Sequence, residues 1–205
     1  MVKGIHWLGH ASFRIEDGVV LYIDPWKLTK PKPADIVLVT HGHHDHLSKA
    51  DIAKIAGPKT VLVAPASCAG ELSGDVRTVA PGDTLRLGEV TIEAVPSYNI
   101  NKPNHPKAAN NVGYVVEVGG QRIYHAGDTD LIPEMATICC DVALLPMGGT
   151  YTMDAAEAAE AVKRIKPRVV VPMHWGDIVG SQADVKRFQK LLPPDVELQV
   201  LDPER

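Results

Sequence analysis

The sequence predicts an α/β (α+β) protein in which two mixed sheets pack face to face with helices on the outside. Short apolar runs with strand character recur along the chain, and a few segments have apolar residues at helical spacing. Strands and helices are mixed within each of two similar halves, which favours a sheet-on-sheet core covered by helices. With 205 residues and 45% hydrophobic content, the chain suits one domain over residues 1–205.

The first half begins as an antiparallel arrangement, with Asp17 and Gly18 as a tight-turn signal. A continuous apolar run at residues 36–39 indicates a strand buried on both faces, and it stops at Thr40, where histidines begin. Strands are predicted at residues 2–8, 12–15, 19–23, 36–39 and 61–64, with a helix at residues 48–56.

The second half contains more strands, two helices and one long loop. Asp154, with Glu157 three positions later, is a helix N-cap candidate. A loop as long as residues 96–111 inside a compact domain is usually functional or flexible. Strands are predicted at residues 76–79, 84–87, 90–95, 112–118, 122–125, 142–145, 168–172 and 196–201, and helices at residues 154–165 and 183–192.

Charge and cysteine content restrict the partners and the compartment. The net charge is −4 without a block of Lys or Arg, so we expect no nucleic-acid or membrane partner and a small-molecule substrate, with a homo-oligomer left open. The three cysteines, Cys68, Cys139 and Cys140, are an odd and sparse set that fits a reducing compartment. Because there is no signal-like start and no apolar run of membrane-spanning length, a cytoplasmic location is expected.

The most informative stretch is residues 41–46, where four histidines and one carboxylate follow an apolar strand. Imidazole and carboxylate are the ligands that ions such as zinc prefer. A rigid strand end can aim His41 and His43 to one side, while Asp45 and His46 lie beyond the turn and can reach a neighbouring ion. The alternative interpretation is an exposed polar loop in which the histidines are accidental.

This pattern resembles the metallo-β-lactamase superfamily, whose His-x-His-x-Asp-His signature is matched without a gap by His41, His43, Asp45 and His46. The resemblance extends over nearly the whole chain, because residues 9–13, 23–25, 124–129 and 171–174 also fall in the family's order. The chain is most similar to the branch of ascorbate-phosphate lactonase-like, metal-dependent hydrolases. The resemblance implies the αββα sandwich fold.

The resemblance also implies two further ligands, and the sequence departs from the family's pattern at one position. Asp128 matches the aspartate that bridges two metals, although alone it would read as a turn or cap residue, and His174 matches the last ligand of the second metal. The family's third histidine of the first site is missing, because the corresponding place reads Pro96-Ser97-Tyr98-Asn99. Either His105 folds back from the long loop to complete that site, or it is an exposed loop histidine.

Other candidate residues surround the predicted centre. His10 is a supporting or substrate-contacting residue or a turn histidine, and Asp24 either supports a ligating histidine or caps a turn before Pro25. His125 is expected to be structural. Lys102 could meet an anionic group or be a solvated loop lysine. The remaining candidates for lining the pocket are Tyr98, Asn99, Tyr151 and Trp175.

Together these features predict a metal-dependent hydrolase that holds one or two zinc ions, with manganese or iron as alternative metals. A metal-bound hydroxide would attack an ester, lactone or phosphodiester bond of a small, anionic substrate, with Asp45 orienting the water and receiving its proton. Two alternatives stay open: a non-catalytic metal- or ligand-binding module, and an iron-dependent redox protein on the same scaffold.

Overall fold

A computed structural model describes residues 4–204, which form two packed sheets. The first sheet has six strands in chain order: β1 (Ile5–Gly9), β2 (Ser12–Glu16), β3 (Val20–Ile23), β4 (Ile36–Leu38), β5 (Val61–Pro65) and β6 (Asp75–Val79). The second has seven, and it runs in reverse chain order from β13 (Glu197–Leu198) through β12 (Val169–Met173), β11 (Val142–Pro146), β10 (Gln121–His125), β9 (Val112–Val118) and β8 (Val90–Pro96) to β7 (Thr84–Leu87).

Each sheet combines an antiparallel part with a parallel part. In the first sheet β1, β2 and β3 are antiparallel, whereas β3 to β6 run parallel. In the second, β7 to β10 form an antiparallel meander and β10 to β13 are parallel. Parallel strands need crossover connections and bring their carboxyl ends to the same edge. That edge is where the histidines and aspartates of the sequence motifs lie.

Four helices connect the strands: α1 (Lys49–Ile55), α2 (Ala66–Ala69), α3 (Ala155–Ile165) and α4 (Gln182–Leu191). The amphipathic helix α3 begins at the predicted cap, because the Asp154 carboxylate accepts from the backbone N–H groups of Ala156 and Glu157 and the Glu157 side chain bonds back to the cap. Its apolar face packs with Val185 and Phe188 of α4 into the main core. No helix in the described part of the chain has the length and apolar character needed to cross a bilayer.

The core lies between the two sheets, and backbone hydrogen bonds join them near the motif-bearing edge. Phe13, Ile23 and Leu38 of the first sheet belong to the same buried cluster as Val116 and Leu144 of the second. At the edge, the backbone N–H of Val112 donates to the backbone carbonyl of Thr40 (3.1 Å), and the backbone N–H of His174 donates to the backbone carbonyl of His10 (2.9 Å). The two halves are therefore fixed to each other where the candidate ligands emerge.

The prediction of elements was correct in most places and wrong at the ends. Residues 2 and 3 of the first predicted strand lie outside the described residues. The last strand was predicted over residues 196–201, but it pairs only at Glu197–Leu198, and the chain then runs to a hydrogen bond between the Glu204 N–H and the Trp7 carbonyl (2.7 Å). The short helix α2 and the 3-10 turns at Lys107–Ala109 and Pro133–Thr137 were not anticipated, since so few residues carry no periodic signal.

Candidate metal centre

The first group of candidate ligands comes from the end of β4 and from the long loop. The Nε2 atom of His41 lies 3.0 Å from Nδ1 of His43, and Nε2 of His105 lies 3.1 Å from that same atom. His41 and His105 are almost fully buried, whereas His43 is exposed. Of the two interpretations of His105, the structure therefore supports the one in which the loop folds back and completes a three-histidine group.

The second group gathers around Asp128, three residues beyond β10. One carboxylate oxygen of Asp128 lies 3.4 Å from Nε2 of His46, and the other lies 3.1 Å from Nε2 of His174 and 3.6 Å from Nε2 of His105. Asp45 approaches His46 at 3.8 Å. Asp128 thus touches both groups, as a carboxylate that bridges two ions would.

Unpaired polar atoms in this cluster fit a cation. Among the described residues, Nε2 of His46, Oδ1 of Asp128 and Nε2 of His174 are buried and have no hydrogen-bond partner. Buried polar atoms are costly unless they are paired, so such atoms at one point indicate an interaction with something else. Imidazole nitrogens and carboxylate oxygens are suitable ligands for a borderline divalent ion.

The electrostatics of the cluster keep most ligands in their binding forms. Burial lowers the pKa of His41 well below its ordinary value, and burial also lowers the pKa of His105. Burial alone would raise the pKa of Asp128, but His174 and His46 hold it well below its usual range. Although burial acts in the opposite direction, Asp128 and Asp24 raise the pKa of His46 well above its ordinary value, so a metal ion would replace a proton there.

Asp24, which directly follows β3, supports His46 as predicted for a residue behind the ligands. Nδ1–H of His46 donates to its carboxylate at 2.7 Å, and the Thr40 N–H and hydroxyl donate to it at 2.8 and 2.6 Å. The Thr40 hydroxyl lies 3.0 Å from Nδ1 of His41. These bonds leave Nε2 of both histidines free for a metal. Sequence reasoning missed Thr40, although its place between an apolar strand and His41 is a usable signal.

Asn99 supports His105 in the same way. Its side-chain oxygen lies 2.9 Å from Nδ1 of His105 and accepts from the His105 backbone N–H at 3.2 Å. Its amide group donates to Asp130 and to the backbone carbonyl of Tyr151. Asn99, predicted as a pocket residue, therefore acts through His105.

His10 lies behind Asp45, in the turn between β1 and β2. Its Nε2 is 2.9 Å from Oδ2 of Asp45, its side chain is fully buried, and its ring centre is 3.8 Å from that of His174. Burial would raise the pKa of Asp45, but the hydrogen bond from His10 holds it below its usual range. His125 instead bonds to the carbonyl of Ala11 at 2.8 Å and accepts from the Gly127 N–H, which is the structural role expected.

Three residues of the site have a left-handed backbone without being glycine. The φ angles are 53° at His10, 47° at Asp24 and 57° at His174. This region is uncommon for residues with a side chain and costs roughly 1–3 kcal/mol each where it is strained. Each residue follows a strand, so the turn it makes aims its side chain into the space between the two sheets.

A cleft of about 230 Å³ opens beside the cluster. It is lined by His43, His44, Asp45, Asn104, His105, Asp128, Tyr151 and Ile178. Tyr151 was predicted to line the pocket and does so. His44, Asn104 and Ile178 were missed, because neither exposed loop residue types nor an isolated isoleucine gives a signal in the sequence.

Three other candidates for the pocket lie outside the lining of this cleft. The Tyr98 hydroxyl lies 3.0 Å from the Glu134 carboxylate, and Lys102 forms an ion pair with the buried Asp130, so neither side chain lines the cleft. Trp175 stacks on Trp7 with ring centres 5.3 Å apart and lines a separate, smaller depression. In each case a contact with a residue distant in sequence turns the side chain away from the cleft.

A protein-family profile and a homologous sequence match most of the chain. The profile of the family described as Beta-lactamase superfamily domain matches residues 4–174. The chain belongs to this family. A relative named UPF0173 metal-dependent hydrolase from Pyrococcus abyssi is 38% identical, over 99% of this chain and 97% of its own.

Solved structures agree on the fold. A crystal structure of a protein assigned as a metal-dependent hydrolase from Parabacteroides distasonis has a TM-score of 0.86 and 31% identity, and the match covers 97% of this chain and 93% of that one. Igni18, described as a metallo hydrolase from Ignicoccus hospitalis, has a TM-score of 0.81 and 26% identity, with 98% and 95% covered. The predicted αββα metallo-β-lactamase sandwich is thereby confirmed.

Proposed function

We propose that the protein is a metal-dependent hydrolase, as its relatives are named, that cleaves an ester, lactone or phosphodiester bond of a small-molecule substrate. The observation that carries the proposal is the pair of ligand groups joined by Asp128 at the floor of a cleft. Neither a serine nor a cysteine is among the described residues that line the cleft, so no side chain of those types offers itself as a nucleophile there.

The residues divide into two metal sites. His41, His43 and His105 would hold one ion and Asp45, His46 and His174 the other, with Asp128 between them. The nitrogen-rich donor set favours zinc over the hard cations, with manganese or iron as alternatives. When bound, the ions would supply Lewis acidity, and they would lower the pKa of a coordinated water from about 15.7 toward 7.

The side chains contribute positioning and proton handling. Asp45 faces the cleft as a carboxylate and is fixed from behind by His10 at 2.9 Å, so it can orient a water molecule and accept its proton. Asp24 and Asn99 hold His46 and His105 in one orientation. We also propose a cytoplasmic location, which the free state of Cys68, Cys139 and Cys140 supports.

The test combines metal analysis with turnover. We expect about two zinc ions per chain and hydrolysis of at least one substrate in a screen of esters, lactones and phosphodiesters. Asp128→Asn should lose one or both ions and about 1,000-fold in kcat/KM, because both sites share this carboxylate. Asp195→Asn, at an exposed position, is the matched control and should change neither quantity.

Other outcomes would contradict the proposal in distinct ways. A fully active Asp128→Asn protein would show that the bridging carboxylate is not needed. Iron with redox turnover would favour an iron-dependent redox protein, and the absence of any bound metal would favour a binding module.

A further inference from the structure

The cleft beside the metal centre contains no permanent positive charge of its own. None of its lining residues within the described chain is Lys or Arg. Lys102, for which one of the two predicted roles was to meet an anionic group, is paired with the buried Asp130. Lys27, which neighbours the cleft wall through Asp177, forms an ion pair with that residue at 3.0 Å. An anionic group remote from the metals would therefore meet no compensating lysine or arginine.

Instead, the wall away from the metals presents an isoleucine. Ile178 is 43% exposed and lies on a short turn after β12. The Gly176 N–H donates to the Val179 carbonyl at 3.0 Å, and φ is 80° at Gly176 and 69° at Gly180. These bonds hold the turn in a conformation that suits glycine at both ends.

Two further contacts keep this turn against the body of the protein. A Cβ atom on Gly148 would lie 2.5 Å from Cγ2 of Val179, so the valine packs directly on that glycine. The ion pair between Lys27 and Asp177 ties down the residue before Ile178. Ile178 is thus an exposed apolar side chain held in place at a site, and burial of such a side chain by a ligand is favourable.

Besides Ile178 and the candidate ligands, the cleft is lined by His44, Asn104 and Tyr151, none of which carries a permanent charge. Asn104 lies on the wall formed by the long loop, and Tyr151 comes from the segment between β11 and α3. The volume of about 230 Å³ is below the range of roughly 300–1,000 Å³ that pockets for drug-sized ligands occupy. A short substrate would fill this space.

We propose that the group of the substrate that lies away from the scissile bond is uncharged and apolar and packs on Ile178. This inference rests on the proposed hydrolase function and narrows its substrate class to short neutral esters or lactones. It excludes substrates that carry a second, remote phosphate or carboxylate, and so revises the expectation of an anionic substrate.

The experiment measures binding first, so that it does not depend on turnover. Hexanohydroxamic acid and the monohydroxamate of adipic acid have the same length and the same metal-binding head, but the second ends in a carboxylate. We would titrate both into zinc-loaded protein at about pH 8, at which the terminal carboxylate of the second probe is ionised. The natural protein should bind the neutral probe about tenfold more tightly.

Two matched variants place the effect at Ile178. Ile178→Lys should abolish or reverse the preference, because it supplies the missing cation, a change of about tenfold or more in the ratio of the two Kd values. Ile100→Lys is the control, since Ile100 is also exposed (54%) but does not line the cleft, and its ratio should stay within about twofold of the natural one.

Equal or tighter binding of the carboxylate probe by the natural protein would overturn the inference. An equal response of the two lysine variants, or binding of neither probe, would also overturn it.

Hydrolysis is then compared on a neutral alkyl lactone and on the same lactone with a terminal phosphate. A preference for the neutral probe without cleavage of any ester, lactone or phosphodiester would refute the proposed function, and only the preference of the cleft for an uncharged ligand would remain of the inference.

Discussion

Asn99 illustrates how a single side chain can orient a candidate ligand. Its amide oxygen accepts from both the backbone and the ring of His105, which turns Nε2 toward His43 and Asp128. A ligating histidine generally needs such a partner on its other ring nitrogen. The first candidate site would therefore depend on a residue that is not one of its own ligands.

We predict that Asn99→Ala weakens metal binding at the first site by about 10- to 100-fold, because His105 loses the acceptor that orients it. Zinc affinity would be measured by competition with a chromophoric chelator. Asn101→Ala, two residues away and exposed, should leave the affinity unchanged. An unaltered affinity in Asn99→Ala would show that His105 is not a ligand or does not need this support.

At the scale of elements, strand ends from both sheets supply the site. Asp24 and His41 follow β3 and β4, whereas Asp128 and His174 follow β10 and β12. His125 links the two sheets, since it bonds the end of β10 to the carbonyl of Ala11 in the turn between β1 and β2. The separation between the sheets at the site is thus maintained by bonds at the same edge.

His125→Phe should destabilise the protein by about 2–4 kcal/mol, because the Ala11 carbonyl and the Gly127 N–H lose a partner in the interior. For a chain of this size that corresponds to a fall in Tm of about 5–15 °C. Thermal unfolding of both proteins in the presence of a chelator separates this effect from metal binding. A variant as stable as the natural protein would contradict the assignment.

The natural protein and His125→Phe should also differ in how their thermal stability depends on pH. Burial lowers the pKa of His125 below its ordinary value, so above about pH 6.5 the ring is neutral in both the folded and the unfolded chain. Below that pH the unfolded chain takes up a proton that the folded one resists, and stability falls. Phenylalanine cannot titrate, so the difference in Tm between the two proteins should narrow from pH 7 toward pH 5. A constant difference would refute this account.

For the whole molecule, the sheets and the ligand motif could be predicted because their signals are local. The apolar run before Thr40 places the histidines of residues 41–46 at a strand end, whatever the rest of the chain does. The resemblance then supplied Asp128 and His174. What remained open was the long loop, whose path is set by bonds between residues far apart, such as that from the Ile100 N–H to Asp130 at 2.9 Å.

The candidates that lie outside the cleft were not distinguishable in the sequence for the same reason. The sequence around Lys102 gave no indication that its side chain would form an ion pair with Asp130, 28 residues later. Nor did Trp175 indicate that Trp7, at the other end of the chain, would stack on it. Such pairings depend on tertiary contacts rather than on periodicity, so the cleft wall could be described only from the structure.

The packing of the whole molecule also predicts how its thiols react. Burial raises the pKa of Cys68 to about 11 and that of Cys140 to about 12, whereas Cys139 is exposed. We expect Cys139 to react with a thiol reagent at about pH 8 at least 100-fold faster than the other two, because the thiolate is the reactive form. All three should react at similar rates in denaturant, and rapid labelling of three thiols in the folded protein would contradict the packing described.

Backbone geometry and chemistry make opposite demands on His10, Asp24 and His174. Glycine adopts a left-handed backbone at no steric cost, but it offers neither a metal ligand nor a hydrogen-bonding side chain. At Asp24, glycine would also leave the Thr40 hydroxyl and the His46 ring without their buried acceptor, which outweighs the relief of backbone strain. The candidate centre and the stability of the fold therefore depend on the same turns, and engineering of this scaffold should leave these three turns unchanged.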